Sequence, residues 1–92
     1  MKATVYFTRE LTPQAVVTLY QKLGVQLPGK VAVKVHSGEK GNQNFLRPQF
    51  WQPMVEAVHG AIVECNTAYG GAAGRGRGHS EAQLELLGEH GW

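Results

Sequence analysis

The chain has no aspartate and a single cysteine, Cys65, among its 92 residues. One cysteine excludes an internal disulfide framework. It also excludes an iron–sulfur cluster held by this chain alone, because such clusters take four protein ligands, mostly thiolates. Charged residues make up only 17%, low for a soluble domain, yet the hydrophobic share of 42% is too high for a disordered chain. The net charge of +2 is too small to indicate nucleic acid by itself. No run reaches the roughly 18 apolar residues of a transmembrane helix, so no membrane partner is expected. The apolar stretch in residues 1–7 is too short for a signal-peptide core. A cytoplasmic, reducing location is therefore the expectation. A chain of this length forms one small domain that hides only roughly 60–65% of its unfolded surface. So thin a core favours an oligomer.

What is present alternates between two periods. Residues 3–8 place Ala3, Val5 and Phe7 on one side and Thr4, Tyr6 and Thr8 on the other, which predicts a strand. Thr12-Pro13 supplies a helix N-cap and a first-turn proline, and Val16, Leu19, Tyr20 and Leu23 follow as one helical stripe. Val31-Ala32-Val33-Lys34-Val35 is the β-branched run of a buried parallel strand. Arg47-Pro48 opens a second helix with Trp51, Met54, Val55 and Val58 at helical spacing, and Gly60 is expected to end it. Residues 61–65 read as a third strand with Cys65 buried at its end. Ser80 with Gln83 forms a capping-box pattern before a third helix striped by Leu84 and Leu87. The expected fold is α/β: a three-stranded, mostly parallel sheet in β-α-β-α-β-α order with helices packed on it.

Ligands of open α/β sheets sit beyond the carboxyl ends of the strands. The three exit segments would be residues 8–10, 36–47 and 66–79. Charge is sorted toward them: residues 1–50 hold seven Lys/Arg and two Glu, and residues 51–92 hold two Lys/Arg and five Glu. Arg9, Lys40, Arg47, Arg75 and Arg77 lie in or beside exits, against Glu10 and Glu39, so the rim is expected to attract a small anion. His36-x-x-Glu39 offers a general base tuned by a carboxylate, or, with His79, ligands for a divalent metal. The same histidine also reads simply as a hydrogen-bonded strand-end residue. The glycine loop with Gly70, Gly71, Arg75 and Arg77 has three readings: a phosphate or carboxylate cradle, an RNA-binding Arg-Gly segment, or a plain surface loop. RNA is the least favoured, since only two Arg-Gly pairs occur without interleaved aromatics. Asn66, Thr67 and Tyr69 bring three hydrogen-bonding side chains directly after the third strand, for ligand contact or for an Asx or ST turn.

Two stretches carry a resemblance. Lys30 through Pro48 contains His36-Ser37-Gly38-Glu39, Asn42-Gln43-Asn44 and Arg47-Pro48. Residues 64–71 read Glu64-Cys65-Asn66-Thr67-Ala68-Tyr69-Gly70-Gly71 and are followed by Arg and a closing His90-Gly91-Trp92. Over roughly residues 28–92 the chain resembles the family called domain of unknown function 362. The resemblance implies an uncharacterised, iron–sulfur- or ferredoxin-associated α/β domain with a candidate anion or metal-cofactor site. Its site would comprise His36, Glu39, Asn44, Arg47, Asn66, Thr67 and Tyr69, with Arg75 or Arg77 at the following basic position. Family chains are longer, so the resemblance implies the amino-terminal portion of a larger domain, completed by its remainder or by self-association. Members often carry an acid, commonly Asp, shortly before the Asn-Thr pair; here Glu64-Cys65 stand there. The alternative is a non-catalytic interaction or oligomerisation subunit.

Overall fold

The computed structural model describes residues 1–68 and 78–92. Five elements follow in order: α1 (Pro13–Lys22), β1 (Val31–Lys34), α2 (Pro48–Ala57), β2 (Gly60–Val63) and α3 (Ser80–Glu89). β1 and β2 pair in parallel with Val31 opposite Gly60 and Lys34 opposite Val63. The helix between them supplies the crossover that a parallel pair requires. α1 packs on α2, and α2 packs on β2.

The local signals work where the neighbours cooperate. The Thr12 hydroxyl accepts the Ala15 N–H at 3.1 Å, and Pro13 sits in the first turn of α1, as its sequence requires. Gly24 takes φ +64° directly after that helix. α2 begins at Pro48 and runs through Pro53, whose missing N–H deletes one i→i−4 bond. It survives because half-buried Trp51, Met54, Val55 and Val58 lie on its packed side. Gly60 does not end α2. His59 makes the left-handed turn at φ +49°, and Gly60 opens β2, where a Cβ would lie 3.0 Å from both Val33 Cγ2 and Val58 Cγ2.

Three further expectations are corrected. The three-stranded β-α-β-α-β-α sheet is not formed: among the described residues the sheet has two strands, and the order is α-β-α-β-α. Residues 3–8 join no ladder, and Val5 and Phe7 stand 84% and 81% exposed. Alternation specifies which side chains share a face, but a strand also needs a neighbouring backbone, and among the described residues this segment has none. Second, Ser80 is not the N-cap of α3. His79 is, so no capping box forms. Third, Leu84 is 67% exposed while Leu86 is buried, so the inward face of α3 runs through Gln83, Leu86 and His90 at i, i+3, i+7.

The apolar core is thin. Among the described residues Ala15, Val35 and Leu86 are its buried hydrophobic members, and Ser37 and Gln83 are buried beside them. The Cα radius of gyration is 15.5 Å, above the about 12 Å of a compact chain of this length. No helix among the described residues is long and apolar enough to cross a membrane.

Candidate functional site

The parallel register brings the exits of β1 and β2 side by side, and the Val35 N–H extends the ladder by donating to Val63 O at 3.2 Å. Beyond that bond the two chains are joined by side chains. The Glu64 carboxylate lies at the centre, its side chain 3% exposed. Its Oε2 accepts the Ser37 N–H at 2.9 Å and the Ser37 hydroxyl at 2.8 Å. Its Oε1 accepts the Lys34 ammonium at 2.6 Å and the Cys65 N–H at 2.9 Å. Burial acts to raise the pKa of this group. The Lys34 ammonium, the Ser37 and Cys65 N–H groups and the Ser37 hydroxyl outweigh it, lowering the value from 4.5 to about 2.

Ser37 is fully buried and bonded on every side. Its hydroxyl, which donates to Glu64, accepts Gln83 Nε2 from α3 at 3.0 Å. Its carbonyl takes His90 Nδ1 at 2.8 Å and Trp92 Nε1 at 3.3 Å. A carbonyl only accepts, so His90 carries a proton on Nδ1. The His90 ring stacks on Phe45 at 4.1 Å, and the Arg47 guanidinium lies over the Phe45 ring at 4.1 Å. Gly38 makes room for this stack: at φ +101°, a Cβ there would stand 2.7 Å from His90 Nδ1 and 2.9 Å from Phe45 Cδ1.

The expected site residues divide into groups. His36 is exposed at the exit of β1, and its Nδ1 accepts the Gly38 N–H at 3.0 Å. Glu39 is half-buried, its carbonyl accepting the Asn42 N–H. No group of three or more His, Cys, Asp or Glu able to hold a metal occurs among the described residues. Asn44 donates its backbone N–H to Asn42 Oδ1 at 2.7 Å, an Asx turn that leaves Asn44 exposed. Arg47 donates through Nη2 to Gln43 O at 3.2 Å. Asn66 donates Nδ2 to Ser80 Oγ at 2.8 Å and so ties the exit of β2 to α3, with half-buried Thr67 beside it. His36 and Asn66 therefore share one rim, linked through Ser37, Gln83 and α3. The exit at residues 8–10 follows no strand and leaves that rim incomplete. Tyr69, Gly70, Gly71, Arg75 and Arg77 lie outside the described residues. Cys65, expected to be buried, is exposed.

Sequence reasoning missed Ser37, Glu64, Gln83 and His90 as the centre of this rim. One signal was available: Gln83, Leu86 and His90 share a helical face that a leucine-only stripe overlooks. Ser37 and Glu64 suggest an activated hydroxyl beside a base. The hydroxyl is closed to solvent, and the bonds that lower the Glu64 pKa leave its carboxylate a weak base near neutrality. The Ser37–Glu64 pair joins the exits of β1 and β2 to α3. Comparison with protein-family models, with curated proteins and with solved structures found no match to this chain.

Proposed function

We propose that this chain is a self-associating interaction unit, with the strand-exit network serving to hold its elements together. The observation that carries this reading is the distribution of apolar side chains. Besides Val5 and Phe7, the exposed set includes Leu11, Leu23, Val25 and Leu27, all near α1, against the thin core already described. Val5 and Leu23 border one groove with Tyr6, Leu19 and Tyr20, and apolar side chains gathered in this way on a small domain mark a contact surface. Ser37, Glu64, Gln83 and His90 are engaged with one another at the rim. Light scattering on the purified chain, over a concentration series, is the test. A mass above 10.0 kDa that falls on dilution supports the reading, and a 10.0 kDa species at all concentrations refutes it.

A second reading, an anion site on the same rim, is favoured by Arg47. Its guanidinium is exposed and oriented on Phe45, and the bond to Gln43 O uses one of its five N–H donors. Titration with inorganic phosphate tests it. Saturable binding that Arg47→Ala weakens supports an anion site, and binding unchanged by that substitution removes Arg47 from it.

A further inference from the structure

We propose that residues 3–8 of one copy add as a strand to the outer edge of β1 in a second copy. This rests on the self-association reading and assigns its surface. Two incomplete features are complementary. The first is the edge. The Val35 N–H bonds Val63 O, and parallel ladders alternate, so Val31, Val33 and Val35 turn their backbone groups toward β2. Ala32 and Lys34 turn theirs outward. Among the described residues no strand lies on that side. An open edge is usually guarded by a charge, commonly lysine. Here the lysine is drawn to the other side. The Lys34 ammonium is held by Glu64 Oε1 and Val35 O, both at 2.6 Å. Among the described residues the outward groups of Ala32 and Lys34 have no backbone partner, and they remain as a template for strand addition.

The second feature is the arm. Residues 3–8 alternate as a strand does, carry β-branched and aromatic side chains, and are not paired in their own chain. The backbone of residues 3–7 makes no hydrogen bond among the described residues. The arm lies instead along α1, where Tyr6 and Phe7 border a groove with Ala15, Thr18 and Leu19, and α1 packs on α2 rather than beside β1. Its own sheet edge is thus left for another copy. Six arm residues are enough to span the four of β1. Addition would place alternate apolar residues of the arm beside Val31 and Val33, on a sheet that two strands alone leave marginal. Reciprocal exchange between two copies closes as a two-fold dimer.

Proline tests both halves. Val5→Pro/Tyr6→Pro removes N–H groups in both phases of the alternation and disturbs no bond of the protomer. Ala32→Pro removes only an outward N–H, a position where edge strands tolerate proline. Light scattering on the wild-type chain should give about 20 kDa, twice 10.0 kDa. Each variant should weaken the dimer by about tenfold or more. An equimolar mixture of the two should regain part of the dimer, because the intact arm of Ala32→Pro meets the intact edge of the arm variant and restores one of the two exchanges. Val5→Ala, which keeps its N–H, should dimerise. A wild-type monomer overturns both this proposal and the self-association reading. A wild-type dimer untouched by the arm prolines overturns strand addition alone, and leaves association through another face. If Ala32→Pro loses its circular dichroism signal, the arm variant decides by itself.

Discussion

Ser37 and Glu64 are tied together twice, the carboxylate Oε2 accepting both the backbone N–H and the hydroxyl of the serine, at 2.9 and 2.8 Å. This pair of hydrogen bonds joins the exit of β1 to that of β2 across 27 positions of sequence. It gives the sheet a polar extension where its ladder stops. Gln83 and His90 bring α3 onto the same serine.

Ser37→Ala is expected to destabilise the fold by about 1–3 kcal/mol. It removes one donor to a buried carboxylate and leaves Gln83 Nε2 without its acceptor. Urea unfolding of both proteins measures this. A change within about 0.5 kcal/mol, the range of ordinary surface substitutions, would deny the network its structural role.

The pH dependence follows from the same carboxylate. Its folded pKa of about 2 is depressed below the ordinary 4.5, so its contribution is fully present above pH 4.5 and is lost as pH falls toward 2. Unfolding midpoints should therefore decline across that acid window. Glu64→Gln should be less stable at neutral pH, because Lys34 loses its carboxylate partner and keeps only the Val35 carbonyl, and its decline between pH 4.5 and 2 should be shallower.

Gly38→Ala should cost more than an ordinary loop substitution. A backbone at φ +101° disfavours any side chain, and the new methyl would press on His90 and Phe45. A loss of about 2 kcal/mol or more is expected, with a changed near-ultraviolet circular dichroism spectrum as the stack opens. His90→Ala in the same chain should recover part of that loss but not all, since the backbone strain remains.

Thr12→Ala should lower stability by about 1 kcal/mol through loss of the α1 cap. Thermal melting is the measurement. An unchanged midpoint would mean that packing on α2, and not the cap, holds this end of the helix.

Both early helices were legible in the sequence because their signals are local. Thr12-Pro13 and Pro48 mark starts, and stripes at three- and four-residue spacing need only their own turn to be meaningful. β1 was legible as a β-branched run. Residues 3–8 carried as clear a strand pattern and formed none. The candidate rim was half legible: the adjacency of His36 and Asn66 follows from two parallel exits. The bonds that organise it do not, because Ser37 meets Glu64, Gln83 and His90 from 27 to 53 positions away.

By itself, the amino-acid order determined the helix starts, the run that becomes β1 and the sparse, sorted charge, because each depends on neighbours within a turn or two. Tertiary structure alone decided which extended segments pair, which face of α3 turns inward and which polar groups are consumed by one another. The physical reason is that hydrogen-bond partners are chosen in space, and a buried donor or acceptor bonds whatever the packing brings within about 3 Å.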